Sequence, residues 1–348
     1  MEPKDARDDR RWSPIAVDVF SPAAAARGER RISLFVRGPR GELMHRERDG
    51  QTWSDFQSLG TQTARVEGSQ TLVPVDWPIA ACATAADEIQ LLARGPDGEL
   101  LHGTLRGSEW TGFECVGAPA SQGYDPPVPM GFASAPTACS RASGRMDVFV
   151  VGAAGALLHS SWSTAGFTEF ESLGGIASPR AGDPEAPVAG PVSACNCGNR
   201  TMGIFGRGAS GDLLLKWWSG ANWSAFASLG APEERDPTYP AVLRPVPLSG
   251  PPAACGGGST RLDVFARGPA GDLLHRWWNG NCWTAFESLG WARSATGRAP
   301  VPFTGNSLAC VWDRHRLDVF ARAGDGRLYN AYWDGSWDHP APLAASHA

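Results

Sequence analysis

Residues 261–290 read RLDVFARGPAGDLLHRWWNGNCWTAFESLG, and residues 31–60 read RISLFVRGPRGELMHRERDGQTWSDFQSLG. Further copies occupy residues 88–117, 145–174, 201–230 and 316–343. A turn glycine marks each copy: Gly41, Gly98, Gly155, Gly211, Gly271 and Gly326, in steps of 57, 57, 56, 60 and 55 residues. A period of this size signals a repeat architecture, in which each unit buries its face only against its neighbours.

Each copy divides into four short β signals. In the fifth copy these are Pro252 to Cys255, Arg261 to Arg267, Asp272 to Trp278 and Trp283 to Leu289, separated by Gly256-Gly257-Gly258, Pro269-Ala270-Gly271 and Asn279-Gly280. Short β-rich runs bounded by Gly, Pro and Asn read as antiparallel strands and hairpins, with bulges where alternation fails. Four antiparallel strands per unit, repeated six times, predict an all-β, six-bladed β-propeller. Its blades span residues 12–60, 61–117, 118–174, 175–230, 231–290 and 291–343, a single domain over 12–343. Residues 1–11 and 344–348 are expected to be tails. Pro-rich links join the blades, with motifs such as Val246-Pro247-Leu248 and Val301-Pro302-Phe303. Proline stiffens a link without needing a backbone donor.

The net charge of -5 and the scattered Arg and Lys argue against nucleic acid as a partner. No run is apolar enough for a membrane helix, and no secretory leader is evident, so membrane insertion is not expected, and a cytoplasmic location or release by a non-classical route is. Cys82, Cys139, Cys195, Cys255 and Cys310 fall in one repeat register, and are read as buried small hydrophobes rather than disulfides. Cys195-Asn196-Cys197 lacks the ligand spacing of a zinc site. No metal or cofactor is expected.

The strings RLDVFARG (Arg261 to Gly268), LLHRWW (Leu273 to Trp278) and FESLG (Phe286 to Gly290) resemble the PLL-like bacterial β-propeller lectins, and Arg316 to Arg322 matches equally well. The resemblance runs through all six copies. It implies a multivalent carbohydrate-binding lectin without catalysis, for fucosylated or O-methylated sugars, with glycans or glycoconjugates as partners and homo-oligomerisation open. The repeats here are longer than that family's, the links supplying the excess.

Sugar platforms would come from the third-strand aromatic pairs Trp217 and Trp218, Trp277 and Trp278, and Tyr332 and Trp333. An indole face packs on sugar C–H groups, while a neighbouring Arg bonds hydroxyls. Packing between blades is the competing use of these rings. Because strand residues alternate in direction, at most one ring of a pair can line a given pocket. The earlier copies carry Ser161-Trp162, Thr104-Leu105 and Glu47-Arg48 there. Arg207, Arg267 and Arg322 recur at the end of the second strand and are read either as hydroxyl contacts or as ties to a neighbouring carbonyl. The recurring His45, His102, His159 and His275 read as satisfied strand residues. An alternative is a cofactor-independent lyase, isomerase or cyclase working in a central cavity. Its acids would be Asp18 and Asp76, which break the repeat.

Overall fold

The computed structural model describes residues 20–27, 30–50, 52–61, 64–66, 69–71, 76–119, 130–176, 185–198, 200–239, 241–258, 260–294, 299–313, 316–338 and 341–342. The expected tails 1–11 and 344–348 lie outside these residues.

Among the described residues six sheets with antiparallel cores surround an axis, each built from one stretch of chain; in the second, Ala64–Val66 adds in parallel to Phe113–Gly117, and two small two-stranded sheets lie in the links. The inner strands are Phe20–Arg27, Asp76–Ala85, Thr137–Ala142, Ser193–Asn196, Ala253–Gly256 and Phe303–Asp313. Each packs beside the next, and the sixth packs beside the first, which closes the ring into a six-bladed β-propeller. Closure needs no exchanged strand: Ala341–Pro342 pairs with Leu328–Trp333 of its own blade.

The inner strands are rich in alanine and proline because six of them converge on one axis, where only small side chains fit. Pro22, Pro78, Pro136, Pro191 and Pro251 line a central cavity of about 140 Å³, together with alanines such as Ala24, Ala81, Ala138 and Ala254. Away from the axis, the second strands supply the core. Phe35, Leu92, Phe149, Phe205, Phe265 and Phe320 are fully buried, each in the cluster formed where two blades meet. Burial of such a side chain contributes about 1.5–3 kcal/mol.

The turn glycine has a positive φ in every copy, between +76° and +83°. A side chain would be strained there. In blades 3 and 4 it would also collide with the link, because Pro187 and Pro247 lie against Gly155 and Gly211. The link is pinned by Val188 N donating to Gly155 O and Leu248 N to Gly211 O, at 3.0 and 2.9 Å.

The outermost strand differs from the sequence reading. It is broken in two, as at Thr52–Trp53 and Gln57–Thr61 in blade 1, with both pieces pairing to the third strand. In blades 4 to 6 the first piece shrinks to the single bridges Trp218–Trp223, Trp278–Trp283 and Trp333–Trp337. A Ser or Thr hydroxyl spans the break by accepting a third-strand N–H, as Thr168 does from Ser161 (2.9 Å) and Thr284 from Trp277 (3.1 Å).

The cysteine register also needs one correction. Cys82, Cys139, Cys195 and Cys255 are equivalent, paired with Gln90, Asp147, Gly203 and Asp263. In blade 6 a register shift between Phe303 and Leu308 pairs Val311 with Asp318 and moves Cys310 opposite Val319. Cys310 therefore turns toward the axis and lines the central cavity.

Candidate functional site

The alternation of strand residues gives each blade two faces. In blades 3 and 5 one carries the Asp of the DVF motif, the histidine opposite the Phe of that motif and the Glu of the FESLG motif. The other carries the second aromatic of the third-strand pair and the Trp of the fourth strand. Each interface thus joins a polar half from one blade to an aromatic half from the next.

Between blades 3 and 4 this junction opens into a cavity of about 240 Å³ lined by Arg141, His159, Glu171, Met202, Trp218 and Trp223. The volume is about eight waters' share of liquid. Asp147 is the buried anchor. Arg141 grips it with two bonds, Nε to Oδ2 and Nη2 to Oδ1, both 2.7 Å. His159 donates from Nε2 to Asp147 Oδ1 (3.0 Å) and from Nδ1 to Glu171 Oε1 (2.7 Å). With a carboxylate acceptor at each ring nitrogen, the ring serves as an imidazolium. Burial alone would lower the His159 pKa, but the bonds to Asp147 and Glu171 outweigh it and raise it above the usual 6.5. Burial alone would raise the Asp147 carboxyl, yet the bonds from His159 and Arg141 hold it below the ordinary range.

The far wall is aromatic. Trp218 and Trp223 tilt against each other at 5.2 Å, and the Arg141 guanidinium lies 5.9 Å from the Trp218 ring centre. The Trp218 Nε1–H is buried with no acceptor in the structure. Glu171, with 63% of its side chain exposed, offers carboxylate oxygen at the rim. Together these groups present indole faces, N–H donors and carboxylate acceptors to one small space.

The other interfaces solve the same junction differently. Blades 5 and 6 repeat the polar set: Arg261 Nε and Nη2 donate to Asp263, and His275 bridges Asp263 and Glu287. There the Trp277 indole stacks on His275 at 5.0 Å and 11°. Blades 1 and 2 have Ser33 in the Asp position, and Glu47 supplies the carboxylate to Arg27 instead. Burial lowers the pKa of His45 there to about 4. Blades 2 and 3 have Gln90, bonded by His102, Thr104 and Glu88. Burial also lowers the His102 pKa to about 4. Between blades 4 and 5 Gly203 replaces the Asp, with the Phe205 ring and Cys197 crowding the space a side chain would need. Between blades 6 and 1, Arg48 enters from the aromatic side and bonds Asp318 at 3.1 and 3.0 Å, both groups buried.

Of the sequence candidates, Trp218 lines the open pocket. Trp278 and Trp333 hold its equivalent positions, on cores formed with blades 4 and 5 respectively. Trp217, Trp277 and Tyr332 point to the opposite faces: Trp217 packs in the blade 4–blade 5 core, and Tyr332 lies under Arg316 at 3.8 Å. The three arginines sit away from the open pocket. Arg207 Nη1 donates to Leu248 O (3.1 Å) and Arg267 Nη2 to Ser249 O (2.7 Å), so both tie the second strand to chain that follows a link. Arg267 and Arg322 border a recess of about 20 Å³. Asp76 begins the inner strand of blade 2 opposite Arg94, and Asp18 lies outside the described residues.

Sequence reasoning passed over Arg141, Asp147, Glu171 and Trp223 and treated His159 as merely structural. A signal was present: Asp147, His159 and Glu171 are spaced twelve residues apart, as are Asp263, His275 and Glu287. In four-stranded blades that spacing brings the three residues side by side across adjacent strands.

Comparison with known proteins agrees with this architecture. A repeat of unknown function (DUF346) matches residues 262–299, most of the fifth copy and the start of the link that follows it. No curated protein matches the chain. Among solved structures, the fucose-specific lectin from Aleuria aurantia is 16% identical, covers 97% of this chain and 99% of its own, and superposes with a TM-score of 0.61. The BP39L lectin from Burkholderia pseudomallei is 19% identical over 94% of this chain and 100% of its own, with a TM-score of 0.61. AofleA from Arthrobotrys oligospora is 12% identical over 96% and 92%, with a TM-score of 0.63. The Aleuria lectin is described as a six-bladed β-propeller. At these identities the likeness is one of fold.

Proposed function

We propose that this chain is a carbohydrate-binding lectin whose binding site is the pocket between blades 3 and 4. The observation that carries the reading is the pocket itself: two indoles facing an Arg–Asp–His–Glu array across about 240 Å³. Sugars need such a site, with an apolar wall for C–H faces and convergent donors and acceptors for hydroxyls. Arg141 donates, Glu171 accepts, and Trp218 and Trp223 form the platform. The aromatic wall suits a sugar that carries an extra apolar group, which favours fucosylated or O-methylated ligands. That preference accords with the PLL-like resemblance and with the Aleuria lectin, captured in complex with α-methyl-L-fucoside. The full charged set occurs at two interfaces among the described residues and borders the open pocket at one of them, so avidity would come from association of chains.

The test is a glycan array containing fucosylated and O-methylated sugars. Hits that vanish with Arg141→Ala are expected; silence across the array would reject the reading.

A further inference from the structure

The open pocket and the blade 5–blade 6 interface share a polar frame, although its arginine comes from the inner strand in blade 3 (Arg141) and from the residue before the second strand in blade 5 (Arg261), and Trp312 of blade 6 also donates to Asp263. Both have the bidentate Arg–Asp pair, and both have a histidine bridging that Asp to an outer Glu. The histidine sits on a phenylalanine in each: Phe149 on His159 at 4.9 Å and 20°, Phe265 on His275 at 4.6 Å and 14°. Two residues beyond the histidine, blade 3 has Ser161 and blade 5 has Trp277.

We infer that Trp277 is a built-in plug. Its indole fills, in the blade 5–blade 6 interface, the space that a sugar enters between blades 3 and 4, and the residue at this position decides which interface binds. The inference rests on the sugar reading of the open pocket.

Two further observations support the plug. First, His275 is covered on both faces, by Phe265 and by Trp277, with Trp337 edge-on at 5.0 Å. His159 has Phe149 on one face and Trp223 edge-on at 6.0 Å, and it borders the cavity. Second, the backbone at the two positions is held identically. Thr168 N donates to Ser161 O and its hydroxyl accepts from Ser161 N; Thr284 does the same for Trp277. Exchange of the side chain therefore leaves its point of attachment in place. Elsewhere the position is also filled inward, by Glu47 on Arg27, Thr104 on Gln90 and Tyr332 under Arg316. Ser161 is the smallest of these residues.

Calorimetric titration of the full chain with methyl α-L-fucoside, followed by 3-O-methyl-D-glucose, counts the sites. One site is expected in the wild type, two in Trp277→Ser and none in Ser161→Trp, with melting checked for each variant. One site in the wild type and still one in a folded Trp277→Ser overturns the plug and leaves the sugar reading standing. Two sites in the wild type also overturn it. Binding by neither wild type nor Trp277→Ser removes the sugar reading and the plug together. If Trp277→Ser does not fold, Ser161→Trp decides: loss of the single site supports the plug, and a retained site overturns it.

Discussion

Blades 3 and 5 present the same Asp, His and Glu to the blade that follows; blade 3 receives two tryptophans in return and blade 5 three, and of the two junctions the first opens. Asp263 is wholly buried among Arg261, His275 and the Trp312 indole N–H, while the Asp147 array borders a cavity. The same charged frame thus acts as a structural clasp when an indole covers it and as a candidate site when a serine does not. In repeat proteins the frame carries the fold, and departures from it carry function.

Removing the anchor carboxylates should separate the two roles most sharply. Asp263→Ala leaves a buried histidine and a guanidinium without their acceptor and is expected to cost about 3–5 kcal/mol of stability. Asp147→Ala lets water from the cavity reach Arg141 and His159, so a smaller loss of about 1–3 kcal/mol is expected. Denaturant melts of both variants measure the difference, and equal losses would erase the distinction between clasp and site.

The histidines should separate by pH. The His159 pKa is raised above 6.5, so its contribution to stability is present in full below 6.5 and is lost as pH rises through the folded value. The His45 and His102 pKa values are lowered to about 4. Their contribution is present above 6.5 and is lost as pH falls toward 4. Melting temperature against pH should therefore lose part of its alkaline decline in His159→Gln and part of its acid decline in His102→Gln. A His159→Gln profile that parallels the wild type on the alkaline side would contradict the imidazolium assignment.

The smallest effect concerns the bulge that holds Ser161. Thr168→Ala removes the hydroxyl that accepts the Ser161 N–H, at a cost of about 0.5–1.5 kcal/mol. Because it loosens the rim of the open pocket, it should also weaken sugar binding, whereas Thr284→Ala should cost similar stability and leave binding unchanged.

The sequence made the fold legible because its punctuation is physical. The turn glycines keep a positive φ, and DVF places a buried phenylalanine in three of the six second strands. Strand alternation likewise sends Trp217 and Trp218 to different interfaces. The site was less legible because it lies between blades. Arg141 comes from an inner strand, His159 and Glu171 from the third and fourth strands, and Trp218 and Trp223 from the next blade. Reading one copy at a time drew attention to the aromatic-rich copies four to six, while the polar half of the open pocket belongs to copy three. The second-strand arginines recur for a reason unrelated to that pocket, since Arg207 and Arg267 bond backbone carbonyls.

The most direct test of the central claim is the affinity of the Trp218→Ala variant for methyl α-L-fucoside, measured by calorimetry alongside its melting curve. The pocket account predicts that wild type binds and that the variant, still folded, loses binding by at least about tenfold, roughly 1.4 kcal/mol. A folded variant that binds as tightly as wild type would contradict it.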